Sequence, residues 1–409
     1  MPDLVIKNAS VPAWGDQLVD IAIEGETIAG VAPSIQADCP VHDAEGLLVA
    51  AGLVETHIHL DKSRIIDRCE PETKRLPEAV RRVSDVKHTF TVEDVVARAD
   101  ETVRNAVANG TTRMRTHVEV DPKVGMRGFE GVQEVAKRWK WAIDIEICVF
   151  PQEGLTNSPG TDELMVEGLK RGATAVGAAP GYDTDHAGQI RRVFELAREF
   201  DVDIDMHLDF GNTPDDLDAI LTCELAKEHG YEGRVAIGHA TKLSTLSVDK
   251  QKEVALRLAD AGVAVTVLPA TDLFLMGRDQ DHNVRRGLVD ANMFAEHGCN
   301  CSLSTNNILN PFTPYGDCSL IRMANLHANV LQVSHKERLA DCFAMLTDRS
   351  AKLLNLKDYG IAAGNPADLV IIDAASPADA VARIAQPLAV FKRGRRTVTR
   401  TRPELHPPH

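Results

Sequence analysis

The sequence predicts an α/β protein built on a (β/α)8 TIM barrel, with a small β-sandwich domain formed by both termini. Three observations lead there. Apolar, β-branched runs recur through the middle of the chain and end near His57, His117, Val149, Gly177, His207, His239, Leu268 and Ser304. Each of these eight candidate strands is followed by a stretch of helical periodicity, such as Asp185 to Phe200 or Asp249 to Ala261. The two ends have a different texture, with short alternating strands at Leu4 to Asn8, Asp20 to Gly25, Asp368 to Asp373 and Ala389 to Gly394. Eight βα units over about 300 residues match a barrel with insertions. Two β-rich ends around such a core are expected to pair with each other. The expected division is residues 1–50 for the first part of the β-domain, 51–356 for the barrel and 357–409 for the return to the β-domain.

Composition narrows the function classes. The net charge of −15 argues against nucleic acid, whose phosphates require clustered cations. The basic cluster Lys392-Arg-Gly-Arg-Arg396 is expected to be a turn between the last two strands. No stretch approaches the ~18 consecutive apolar residues of a membrane span. Met1-Pro-Asp-Leu-Val-Ile shows no charged leader followed by an apolar core, so no signal peptide is expected. The eight cysteines are scattered, as in reduced, mostly buried thiols of a cytoplasmic protein. That leaves histidine as the better metal-ligand candidate.

His57-Ile-His59 ends the first candidate barrel strand. Residues two apart in a strand share a face, so both imidazoles converge on one point, as a divalent metal requires. An isolated pair of this kind is more often surface or structural. Here His117, His207 and His239 lie at further strand ends, and barrel active sites are built at that end. A single one would read as a hydrogen-bonded core histidine. The set reads as a metal site.

The motifs extend beyond histidine. Gly52-Leu-Val-Glu-Thr-His57-Ile-His59-Leu-Asp61, Arg115-Thr-His117-Val-Glu-Val, Val149-Phe-Pro-Gln152-Glu-Gly154 and Asp358 to Val370 together cover nearly the whole chain. In them the chain resembles the amidohydrolase superfamily and, within it, the cytosine deaminase branch. The resemblance implies that His57, His59 and His207 bind one divalent ion, zinc or iron, with manganese a third option. It implies that His239 polarises the substrate or steadies the nucleophile. Gln152 would recognise the amide edge of a small heterocycle, and Phe312 would stack on its ring. His117 and Asp183, beside the second and fourth strand ends, are further candidate substrate contacts. Relatives of this kind imply a homo-oligomer.

Two positions depart from the pattern. The family's fourth metal ligand, an Asp that also accepts a proton, is Asn306 here, and its proton-shuttling Glu is Phe210. An amide oxygen can coordinate, but it brings no charge and accepts no proton at neutral pH. Asp209 is then the candidate for proton transfer. The expected activity is hydrolysis of a C–N bond in a small nitrogen heterocycle, in the manner of cytosine deaminase. Asp61-Lys62 and Asp201 to Asp205 are similar to the N-isopropylammelide isopropylaminohydrolase branch, so an N-alkylamino-triazine or cyclic-amide substrate is the alternative. The non-enzyme alternative is an inert metal- or ligand-binding homologue. Lys62 and Glu153 are expected to be salt-bridged or structural, and Leu273 to Met276 to form an apolar wall.

Overall fold

The computed structural model describes residues 1–69 and 76–406. Eight parallel strands run in sequence order around one sheet: β1 (Leu53–Ile58), β2 (Thr111–Glu119), β3 (Asp144–Phe150), β4 (Ala175–Val176), β5 (Asp203–Leu208), β6 (Val235–His239), β7 (Val263–Val267) and β8 (Cys301–Leu303). Five of the eight expected strand ends fall on these elements, and Gly177, Leu268 and Ser304 lie one residue beyond them. The barrel closes just beyond β8. Asn306 N–H donates to His57 O at 2.9 Å and Asn306 O accepts from His59 N–H at 3.0 Å. Thr56 N–H adds a bond to Ser304 Oγ at 3.1 Å on the same seam.

The strands alternate with helices whose apolar stripe faces the sheet. Val92–Ala108 is typical. Thr91 Oγ1 caps its start by accepting from Asp94 N–H, and Val95, Ala99, Val103 and Ala106 are buried along one side. The helices expected from Asp185 and Asp249 are found at His186–Phe200 and Val248–Asp260. Among the described residues, no helix is long and apolar enough to cross a membrane. All eight cysteines are free, and seven are buried.

Both ends of the chain enter a second sheet of eight strands. The N-terminal strand Leu48–Ala51 pairs antiparallel with Leu369–Ile372, which joins the two halves. Alternation gives this sheet two apolar faces. Ile6, Ile21, Val49, Ile371 and Phe391 enclose its own core, whereas Leu48, Ala50, Val370 and Val390 join the barrel core. Only Gly52 separates Leu48–Ala51 from β1, and the backbones crowd there. A Cβ at Gly52 would lie 2.2 Å from Thr112 Oγ1, so glycine is required. The basic cluster does span the final turn, between Pro387–Lys392 and Arg395–Thr399.

Candidate metal centre

β1 and β5 bring three histidines together. His207 Nε2 lies 3.1 Å from both His57 Nε2 and His59 Nε2. His57 and His59 are almost fully buried, and the Nδ1 atoms of all three lack a hydrogen-bond partner. Burial, reinforced by His117, pushes the His57 pKa down to about 3, and burial holds His59 and His207 well below the ordinary value. At neutral pH these rings therefore carry lone pairs, as metal ligands must. Lone pairs that converge in a buried space cannot satisfy one another. A shared cation satisfies all three. Gly238 makes room for this arrangement, since a Cβ there would approach His57 Cε1 to 3.0 Å.

Asn306 lies directly beside the histidines because its backbone is bonded to both His57 and His59. Its φ of 62° is left-handed, a conformation that Asn tolerates better than most residues. A chain of amides sets its orientation. Backbone N–H groups of Phe312 and Thr313 donate to Asn310 Oδ1, so Asn310 Nδ2 must donate to Asn307 Oδ1, at 2.7 Å. Asn307 Nδ2 in turn donates to Asn306 Oδ1 at 2.9 Å. The Asn306 Nδ2 group is thereby turned toward His239 Nε2, 3.5 Å away. His239 Nδ1 lies 2.5 Å from the fully buried Asp272 Oδ1. Because the carboxylate only accepts, Nδ1 carries the proton and Nε2 keeps its lone pair.

The cavity beside these groups is lined by His59, His207 and His239 together with Lys62, Gln152 and Phe312. Phe210 sits on the same wall, with its ring centroid 5.3 Å from that of His239. Lys62 Nζ donates to Gln152 Oε1 at 2.8 Å and faces Glu119 Oε2 at 3.4 Å, as a buried salt-bridged lysine. Glu119, Asp121 and Glu153 all pair with Lys87, so this acidic group is a structural ion network.

Three expectations about individual residues change. His117 is not on the cavity wall: its ring stacks on His57 with centroids 3.8 Å apart, and its Nε2 turns toward Asp205. Asp183 is drawn away from the cavity by the backbone N–H groups of Leu155, Thr156 and Asp185 and by Gln189 Nε2. Asp209 does reach the wall, but its two oxygens accept from Asp218 N–H at 2.9 Å and Ala219 N–H at 3.0 Å. It caps the helix Asp218–His229, and burial pushes its pKa up to about 6 despite those bonds.

The profile of the amidohydrolase family matches residues 83–398. This chain belongs to the amidohydrolase family. Among related proteins, N-isopropylammelide isopropyl amidohydrolase from Pseudomonas sp. (strain ADP) is 27% identical over 407 residues, covering 96% of each chain. Pterin deaminase from Rhizobium rhizogenes (strain K84 / ATCC BAA-868) is 26% identical, covering 96% of this chain and 93% of its own. Among solved structures, 5-methylcytosine deaminase from Klebsiella pneumoniae with bound 5-fluorocytosine superposes with a TM-score of 0.93 at 27% identity, over 99% of both chains. As a member of this family the chain is a hydrolase, and its barrel and terminal β-domain are those of amidohydrolases.

Sequence reasoning overlooked some residues of this amidohydrolase site. Asp272 lies within the short helix Pro269–Leu275, where an Asp among mostly apolar residues is the signal; Leu268 N–H donates to its Oδ2 at 3.2 Å, which leaves Oδ1 for His239. Asp205 and Arg115, both buried inside the barrel, stood in motifs already singled out but were given no role. His186, by contrast, is a candidate substrate contact that the sequence offers together with Asp183 in the loop after the fourth strand; it lines the cavity, with Nδ1 3.0 Å from Asp218 Oδ2 on the same wall.

Proposed function

We propose that the chain is a metal-dependent aminohydrolase of the cytosine deaminase type, hydrolysing an exocyclic C–N bond of a small, flat nitrogen heterocycle. The observation that carries this reading is the convergence of three neutral histidine Nε2 atoms beside the His239–Asp272 pair. The named relatives act on heterocycles of this kind, which supports the substrate class. His57, His59 and His207 would hold the ion, zinc or iron with manganese as a third option, and Asn306, whose backbone is bonded to His57 and His59, would offer its amide oxygen as a further donor only by giving up the bond from Asn307 Nδ2. Such an ion supplies Lewis acidity and lowers the pKa of a water molecule. His239 Nε2 takes a proton from the attacking water, and Asp272 stabilises the imidazolium that results. A C–O bond forms, the C–N bond breaks, and the amine leaves carrying the proton that His239 returns. Gln152 and Lys62 hold the ring edge, and Phe312 covers its face. The buried free cysteines support a reducing, cytoplasmic setting.

A second reading is release of an alkylamine from an N-alkylamino-triazine. Phe210 and Leu275 favour it by placing apolar surface on the cavity wall. An inert binding protein, the reading prompted by Phe210 and Asn306, is disfavoured by His239 and Asp272, which together form a complete proton acceptor.

The test is turnover of purified protein on cytosine, 5-methylcytosine, isocytosine, an aminopterin and N-alkylaminotriazines, scoring ammonia against alkylamine. We expect ammonia from a cytosine-type ring, loss of turnover on chelation, and recovery with a divalent ion. Full turnover in verified metal-free protein would overturn the mechanism, and alkylamine as the sole product would favour the second reading.

A further inference from the structure

The coordinating set has a charge problem. Three neutral imidazoles and a neutral amide leave both positive charges of a divalent ion uncompensated in a buried site. A carboxylate close behind the ligands would offset part of that charge, and each ligand strand carries a buried one, Glu55 on β1 and Asp205 on β5. Glu55 directs its oxygens to Thr305 N–H, Thr305 Oγ1 and His57 N–H along the barrel seam. Asp205 is placed differently. It stands on β5 two residues before His207, fully buried. Its Oδ1 lies 3.7 Å from His57 Nδ1 and 3.4 Å from His117 Nε2, and its Oδ2 lies 3.4 Å from Arg115 Nη1. His57 Nδ1 and Asp205 Oδ1 both lack a hydrogen-bond partner and face one another.

We infer that Asp205 is a positioning residue for the metal: it fixes His57 with Nδ1–H toward its carboxylate and supplies, from behind that ring, the negative charge that Asn306 does not. The inference rests on the metal-site reading above. With Nδ1 protonated, His57 Nε2 keeps its lone pair on the side of His59 and His207. Arg115 does not cancel the effect, because its guanidinium is shared with Glu146 at 3.1 Å and Asp203 at 3.4 Å. Arg115 also weighs against a second cation on His57, His117 and Asp205, which lie close enough to act as ligands: a guanidinium already stands against the carboxylate.

Zinc affinity, measured by chelator competition on the full chain, tests this. Wild type should bind one zinc. Asp205→Asn should bind it about 10–100-fold more weakly, the usual effect of losing an outer partner of a ligand. Asp205→Asn with Asn306→Asp should regain most of that loss, because it restores one negative charge beside the ion. Circular dichroism of the metal-free proteins checks that the variants fold. Histidine-selective ¹⁵N spectra of zinc-loaded wild type give a second readout, with His57 expected as the Nδ1–H tautomer. Unchanged affinity in Asp205→Asn, an Nε2–H tautomer, or two zinc ions per wild-type chain would each overturn the inference. Wild type that binds no zinc at all would overturn the metal-site reading and this inference with it.

Discussion

His239 and Asp209 show how two residues beside one cavity divide into chemistry and support. The Nε2 of His239 keeps its lone pair, with Asn306 Nδ2 3.5 Å away, and its Nδ1 is held 2.5 Å from Asp272. Asp272→Asn keeps the volume but removes the charge that stabilises an imidazolium. It is expected to lower kcat by about 10²–10⁴-fold with a much smaller change in KM, as steady-state kinetics on the released amine would show. Asp209 spends both oxygens on backbone N–H groups. Asp209→Ala should therefore cost about 1 kcal/mol of stability through loss of a cap, with a far smaller effect on kcat than Asp272→Asn. A greater kcat loss for Asp209→Ala than for Asp272→Asn would return the proton-transfer role to Asp209.

At the scale of elements, the loops after the barrel strands are held by buried carboxylates. Asp183 ties the loop after β4 to the one after β3, through Leu155, Thr156, Asp185 and Gln189. Burial opposes its ionisation, but these bonds, with the Thr156 hydroxyl foremost, hold its pKa well below the usual carboxylate range. A folded-state pKa below the unfolded value near 3.9 means that its contribution is complete above about pH 4 and is lost as the pH falls through the folded value. The melting-temperature gap between wild type and Asp183→Asn is thus expected to be large at pH 7 and to shrink steadily below pH 4. A gap independent of pH would show that the loop is held by packing instead.

For the whole molecule, the two sheets are joined by charge as well as by apolar contact. Lys392, buried in the terminal sheet, places Nζ 2.6 Å from Asp368 Oδ2, 2.7 Å from the barrel's Asp144 Oδ2 and 3.0 Å from Thr112 O. Lys392→Met removes the buried cation of this network and leaves Asp368 to Arg113 Nε at 3.5 Å and the Arg393 N–H. Breaking a buried pair in this way costs about 3 kcal/mol. Urea unfolding should show that loss, while kcat of the folded variant stays near wild type because the cavity is untouched. An unchanged unfolding midpoint would mean that apolar packing alone holds the sheets together.

Much of this architecture was legible in one dimension. Apolar runs mark strands and 3.6-residue stripes mark helices because each pattern reports burial of a local segment, so the eight barrel strands and the two β-rich ends could be read directly. His57 and His59 were legible for the same reason, since a spacing of two on a strand sets a common face. The sequence by itself thus determined the fold class and the strand-end histidines His57, His59 and His207 that converge on one point. Tertiary structure decided which long-range partner each polar group took. Asp272 meets His239 from another strand's loop, Lys62 takes the oxygen of Gln152, and Asp205 lies behind His57. It also turned His117 below the site and drew Asp183 into a loop tie. A polar side chain satisfies whatever donor or acceptor the folded backbone brings within about 3 Å, and no local pattern encodes that distance.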